Sequence, residues 1–319
     1  MLGPTAAPGP LVSAPAAVVR DTSGRTAISM RRVDFHVAPG VVLHIRNLHG
    51  ELETVGAGRV AEFDDAQSFV IGIANGEAGI TTADLSRLLN QYVFAYPGAP
   101  LYHLRVSGAG KQLRLKGTLR KGGDIPFEIL AAVAVTPKGE IRLRPSTIRV
   151  ARIPAGPLLR LVGLSLEKLV DLKGARGARA DGNDLYLQPD EMLPPPRIRS
   201  RLAGVRLDGE ELLLTFNDPS LARSASRAAN PPDTSSNWVY FRHGTVRFGR
   251  LFMVNADLEL VDAAPGDPFD FSLAEYQRQL VAGYVKNTAS GGLIVHAPDL
   301  RTLGSGSAQR TSAPPASPF

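Results

Sequence analysis

Apolar and polar residues alternate along stretch after stretch of this chain, and glycine-bearing turns separate the stretches. In Leu113–Leu119, apolar Leu113, Leu115 and Leu119 alternate with Arg114, Lys116 and Thr118. Ile141 and Leu143 alternate with Arg142 and Arg144, and Val205 and Leu207 with Arg206 and Asp208. Successive side chains of a strand point to opposite faces, so this period of two describes a sheet with one dry and one wet face. The turns between are Ser107-Gly108-Ala109-Gly110, Lys121-Gly122-Gly123-Asp124, Pro137-Lys138-Gly139 and Asp208-Gly209, each suited to a hairpin. Val41–Glu53 and Val239–Leu260 alternate as well. Ile129–Val135 is more evenly apolar and is expected as a strand buried on both faces. The pattern predicts a meandering antiparallel sheet and not a βαβ repeat.

Helical signals are fewer. Thr81-Thr82-Ala83-Asp84 reads as an N-terminal cap with a carboxylate in the first turn. Leu85, Leu88, Leu89, Tyr92 and Val93 follow as one wide apolar stripe. A second helical stretch, Pro157–Leu172, is apolar nearly all round, with Gly163 as a break. Such a helix must be enclosed by the sheet or line an apolar cavity, and both readings stand at this point. A third helix is expected from Ser272, which with Glu275 has the spacing of a capping box.

The 319 residues allow one large domain or two ordinary ones. Residues 1–26 and 304–319, rich in Ala, Pro, Gly and Ser, are expected to be disordered. The polar stretch 220–237 is a linker or long loop between a main β-rich domain, 27–219, and a segment 238–303. That last segment either extends the same sheet or forms a small lobe. Cysteine is absent, which removes disulfides, thiolate nucleophiles and cysteine metal sites. No apolar run reaches the roughly 20 residues of a membrane-spanning helix. Met1–Val19 lacks a basic start, and prolines interrupt it, so it does not read as a secretory signal. The net charge of +6 favours anionic partners without choosing among them.

Catalytic patterns are not found. Gly108-Ala109-Gly110-Lys111 lacks the spacing and the Ser or Thr of a phosphate-binding loop. No Gly-x-Ser-x-Gly elbow occurs. Asp181-Gly182-Asn183-Asp184 lacks the spaced ligands of a calcium loop. Asp64-Asp65, Asp190-Glu191 and Glu210-Glu211 are adjacent pairs that suit turns and solvated positions. His36, His44 and His49 lie near Glu51 and Glu53, a set that would suit zinc. His44 and His49 are five residues apart, which in a regular strand puts them on opposite faces. No catalytic, metal or cofactor site is therefore expected.

Arg114, Lys116, Arg120, Lys121, Arg142, Arg144 and Arg149 fall on neighbouring expected strands. If those strands pair, the basic residues form a patch on the wet face. It serves solubility and edge protection, or it meets anionic headgroups. Nucleic acid is the weaker partner, because no aromatic residue lies inside Leu113–Lys121 or Ile141–Val150.

The wording Asn75-Gly76-Glu77-Ala78-Gly79-Ile80-Thr81-Thr82-Ala83-Asp84-Leu85 carries a family resemblance. So do Leu113-Arg114-Leu115-Lys116-Gly117, Asp184-Leu185-Tyr186-Leu187 and Gly204-Val205-Arg206-Leu207-Asp208-Gly209. Over about residues 70–216 the chain resembles bacterial cell-envelope proteins of the tubular lipid-binding (TULIP-like) group. The resemblance implies an α+β fold, a long curved antiparallel sheet wrapped around one or two apolar helices, and an extracytoplasmic location. It also implies a non-enzymatic role in binding or transferring a lipid or other amphiphile. Acyl chains would then contact Leu85, Leu89, Leu159, Val162 and Leu169, and Arg114, Lys116, Arg142 and Arg144 would meet an anionic headgroup or membrane surface. The alternative is an envelope or surface interaction module with a packed core and protein or polyanion partners. An enzyme built around His36–Glu53 is the distant third reading.

Overall fold

The alternating stretches build two sheets in the computed structural model, which describes residues 25–56, 60–150, 153–154, 165–221, 231 and 235–304. The first half contributes β1 (Arg25–Ala38), β2 (Val41–Thr54), β3 (Ala61–Glu62), β4 (Phe69–Thr81), β5 (Leu101–Ala109), β6 (Gln112–Arg120), β7 (Asp124–Val135), β8 (Ile141–Val150) and β9 (Ile153–Pro154). The second half contributes β10 (Ala178–Asp181), β11 (Asp184–Leu187), β12 (Arg197–Arg199), β13 (Leu202–Asp208), β14 (Glu211–Asn217), β15 (Trp238–Phe248), β16 (Leu251–Asp262), β17 (Phe269–Ser272), β18 (Tyr284–Asn287) and β19 (Leu293–Ala297).

The second sheet, ordered β10-β11-β8-β7-β6-β5 with β9 beside β8, keeps the predicted meander in β5 to β8 and adds the later hairpin β10–β11 with β11 against β8. The first departs from a meander. Its order is β13-β14-β4-β2-β1-β15-β16-β19-β18, with β12 beside β4, β17 beside β1 and β3 beside β15. The pairs β1/β17, β4/β12, β3/β15 and β16/β19 are parallel, so strands distant in sequence are inserted between hairpins. Strands β15, β16, β18 and β19, from the segment 238–303, belong to this same sheet.

The expected double-sided burial of Ile129–Val135 is corrected. Ile129 and Ala131 are buried while Ala132 and Ala134 are exposed, so β7 has one wet face like its neighbours. The histidine geometry is corrected too. Register shifts occur in β2 between Ile45 and Asn47, where Arg46 and Asn47 are both exposed. Buried Ile45 and Leu48 bracket this pair, and His44 and His49 both fall on the outer face. A β-bulge adds a residue and so reverses the parity that a regular strand imposes. His44 Nδ1 pairs with Asp34 at 2.8 Å, and His49 Nδ1 with the Ser29 hydroxyl at 3.1 Å. Among the described residues no group of three ligating side chains suits a metal ion.

Helices are short. Thr82–Leu88 starts where its cap predicts: Thr81 Oγ1 accepts the Asp84 N–H at 3.0 Å. It runs into a wider π turn at Leu89–Val93. Leu85, Leu88, Leu89 and Val93 are buried, as the apolar stripe requires. Of the expected Pro157–Leu172 helix, only Leu166–Leu169 is described as helical; residues 155–164 lie outside the described residues. The helix expected from Ser272 is placed differently. It covers Tyr276–Ala282 with Glu275 at its N-cap and no side-chain cap, because Ser272 is the last residue of β17.

The two sheets share one apolar core and meet across part of it, and the first sheet supplies its most enclosed side chains. Ile28, Leu52, Phe69, Phe241, Leu258, Leu260, Phe269 and Phe271 are each less than 2 % exposed or at that limit. Each such side chain contributes about 1.5–3 kcal/mol relative to exposure. A clasp at the β13–β14 turn ties the sheets together. Glu210 Oε2 accepts the Thr82 hydroxyl at 2.6 Å and the Gly108 N–H at 3.0 Å. Gly108 has to be glycine there, since a Cβ would sit 2.2 Å from the Gly209 carbonyl oxygen. Glu210, expected as a solvated turn residue, is thus a connector.

Gln279 is fully buried near β17 and completely paired. Its Oε1 accepts the Ser272 N–H at 3.0 Å, and its Nε2 donates to the carbonyls of Asp270 and Pro298. Gln279→Leu strands three backbone groups, two of them buried, and is expected to cost about 3 kcal/mol in a urea unfolding titration. The two outer histidines should separate by NMR. The hydrogen bond and charge of Asp34 raise the His44 pKa against the opposing effect of burial, while burial lowers that of His49. His44 is therefore expected to titrate above the ordinary value of about 6.5 and His49 below it. The stabilisation from protonated His44 is complete below its unfolded value and is lost as pH rises through its folded one. Asp34→Asn should bring the His44 titration down.

Candidate binding cleft and apolar interior

An open cleft of about 670 Å³ lies where β1, β17 and the Tyr276–Ala282 helix meet the Pro194–Pro196 run. Its walls mix chemistry. Phe35, Phe63, Tyr92 and Leu273 supply apolar surface, and His36, Asp64, Glu275, Tyr276, Gln277 and Arg278 supply polar groups. The aromatic wall is backed by close ring packing. Phe63 stacks on Phe248 with centroids 3.9 Å apart and meets Phe69, Phe241 and Tyr276 within 5.9 Å. Such pairs add roughly 0.5–1.5 kcal/mol each beyond burial.

The polar groups are held in place by one another. His36 Nε2 contacts the Asp270 carboxylate, which also accepts the Arg301 N–H at 2.9 Å. Burial pushes the Asp270 carboxyl up, but the His36 and Arg301 hydrogen bonds and charges outweigh it and hold it below the usual range. Asp64 Oδ1 accepts the Tyr276 hydroxyl at 2.6 Å, and the Arg278 guanidinium donates to Glu275 at 2.9 Å and to the Gly304 carbonyl at 2.6 Å. Burial, then the hydrogen bond to Asp64, raise the Tyr276 pKa. This arrangement presents fixed donors and acceptors at the cleft wall.

Behind the cleft is an apolar interior. A void of about 60 Å³ is enclosed by Met30 and Phe35 of β1, Leu43 and Ile45 of β2, Ile71, Ile73 and Ile80 of β4, and Leu212, Leu214 and Phe216 of β14. Leu85, Leu113, Leu143, Leu187, Met192 and Leu193 close it from the other side. Ser200 brings the one hydroxyl in this lining, and that hydroxyl donates to Asp190 at 2.6 Å. A second void of about 40 Å³ shares Leu85, Leu113, Leu143 and Leu187 with the first. A third, of about 50 Å³, shares Leu101, Leu115, Leu185 and Ile129 with the second. The voids stand in series, divided by side chains. Phe35 lines both the open cleft and the first void, and the Met192–Pro196 stretch runs from one to the other.

The residues expected to contact an acyl chain divide accordingly. Leu85 lines the first and second voids, and Leu89 the second. Leu159 and Val162 lie outside the described residues, and so does the side chain of Leu169. The cations expected at a headgroup are elsewhere. Leu113, Leu115 and Leu143 face the voids, so Arg114, Lys116, Arg142 and Arg144, alternating with them, face outward. Arg114 and Lys116 flank Glu128, at 3.3 and 3.8 Å. Asp184 pairs with Arg142 and, at 3.8 Å, with Arg144. Sequence reasoning missed Phe35, Tyr276, Asp64 and the Pro194–Pro196 wall. Asp64 was weighed only as half of the adjacent Asp64-Asp65 pair, and along the chain Pro194-Pro195-Pro196 reads as no more than a stop before the hairpin that follows.

Comparison with known protein families, with curated proteins and with solved structures finds no match to this chain.

Proposed function

We propose that this protein binds an amphiphile, with the apolar chain entering past Phe35 and the polar end held in the cleft. One observation carries the reading: an open cleft with polar groups shares Phe35 with an apolar interior whose voids continue in series. Apolar sites with a few convergent polar groups are the usual form of small-molecule pockets. The resemblance to lipid-binding envelope proteins points the same way. The polar end is assigned to the cleft because the cations of β6 and β8 face away from the voids. No reacting group is assigned, and the role is binding or transfer.

Each void is too small to hold an acyl chain as it stands, so binding requires the dividing leucines and Phe35 to change rotamer. That smallness also favours the second reading, an interaction module with a packed interior. One experiment separates them. Native mass spectrometry of gently purified protein should show a co-purifying lipid, and a fluorescent fatty-acid probe should bind. Leu143→Trp fills the boundary between the first two voids and should weaken probe binding at least tenfold. Overpacking there costs about 1–3 kcal/mol, so Leu113→Phe serves as the milder second variant, with a thermal melt as the folding control. No adduct and no probe binding by the wild type would sink the reading.

A further inference from the structure

The outer face of the second sheet concentrates positive charge in a way that the interior does not use. One cross-strand row runs Arg105, Lys116, Glu128, Arg149 over β5, β6, β7 and β8. Three cations, Arg114, Lys116 and Arg149, share the single carboxylate of Glu128, at 3.3, 3.8 and 4.0 Å. Arg142 and Arg144 likewise share Asp184. The two carboxylates are recessed. Their side chains are 25 % and 14 % exposed, whereas those of Lys116, Arg149 and Arg144 are 55 %, 52 % and 63 % exposed. Asp181 on the edge strand β10, its side chain 67 % exposed, and exposed Asp124 at the start of β7 are the acidic exceptions at the margins, and between them what faces solvent is the cationic excess.

The geometry selects among anionic partners. Four antiparallel strands spaced about 4.8 Å apart make a broad face with no protruding element to enter a duplex groove. Single strands need open aromatic rings for stacking. Here the Tyr102 and Tyr186 rings are covered by the guanidiniums of Arg120 and Arg179, at 4.7 and 3.9 Å. A bilayer asks only for a broad positive potential and repays about 1 kcal/mol per cation near its surface. We propose that this face docks the protein on an anionic lipid bilayer. The proposal is independent of the amphiphile reading, since it rests on the opposite face of the strands.

Co-sedimentation with phosphatidylcholine vesicles, with and without phosphatidylglycerol, tests it. The full chain should pellet with the anionic vesicles, release as ionic strength rises, and leave the neutral ones free. Lys116→Gln combined with Arg144→Gln removes two exposed cations without touching a void and should weaken binding about thirty-fold. Arg206→Gln with Arg247→Gln makes the same charge change outside this sheet and should leave binding within a few-fold of wild type. Equal binding to both vesicle types, or equal loss in both double variants, would overturn the proposal. Retention by heparin or DNA without vesicle binding would overturn the choice of lipid. The Leu143→Trp variant should pellet as wild type does, so failure of the interior reading remains distinguishable.

Discussion

The burial of one face per strand against the face of a second sheet is the constraint on which the rest depends. A strand with period-two patterning can satisfy its apolar side chains only if something covers that side. In this protein the two sheets cover each other in part, and the helical stretch 82–93 and the segment 166–172 cover the rest of the second sheet's inner face. The inner sets Met30, Phe35, Ile45, Ile71 and Leu214 from one sheet meet Leu113, Leu143 and Leu187 from the other. Once those faces are committed, the remaining charges have only the outside to occupy. Polar side chains that go inward must be paired completely, as Gln279 is.

Two curled sheets do not fill the space between them evenly. A void of about 60 Å³ remains where large aliphatic side chains of the two sheets meet, and voids of about 40 and 50 Å³ lie between the second sheet and the segments that cover it, which include Leu85, Leu89, Leu166 and Leu172. Each costs roughly 1–1.5 kcal/mol relative to filled space. The Thr82–Leu88 helix and the Glu210 clasp hold the sheets at this separation, and the aromatic group around Phe63 fixes one side of the cleft. The stability needed to tolerate the voids comes from the rest of the interior, where side chains such as Phe241 and Leu260 are almost wholly enclosed. Phe35 lines both the open cleft and the enclosed space.

The outer surface follows a different logic. Its charges are arranged in cross-strand rows, and in the second sheet Glu128 and Asp184 lie lower than the cations they pair with. Surface ion pairs of this kind add little to stability, commonly under about 1 kcal/mol. Their arrangement matters for the potential they present to a partner. The protein thus separates an apolar interior from a charged outer surface, on alternate residues of the same strands.

Alternation, turn chemistry and the Thr81 cap are local, and they were legible along the chain. The dry and wet faces of β6 and β8, the hairpins between them and the start of the Thr82–Leu88 helix all follow from residues within a few positions of one another. The parallel insertions of β17 beside β1 and of β19 beside β16 depend on pairings between distant residues, which local pattern does not encode. The bulge at Arg46–Asn47 reversed the facing of His49 because one extra residue changes parity without changing composition. The cleft was hidden for the same reason, since Phe35, Asp64, Pro195 and Tyr276 come from four separate parts of the chain. The sequence by itself determined which side chains would be buried and which wet, because strand periodicity is a property of neighbours. Only the tertiary structure decided what each buried face would meet, where the two sheets fail to fill space, and that Phe35 would stand between an open cleft and an apolar interior.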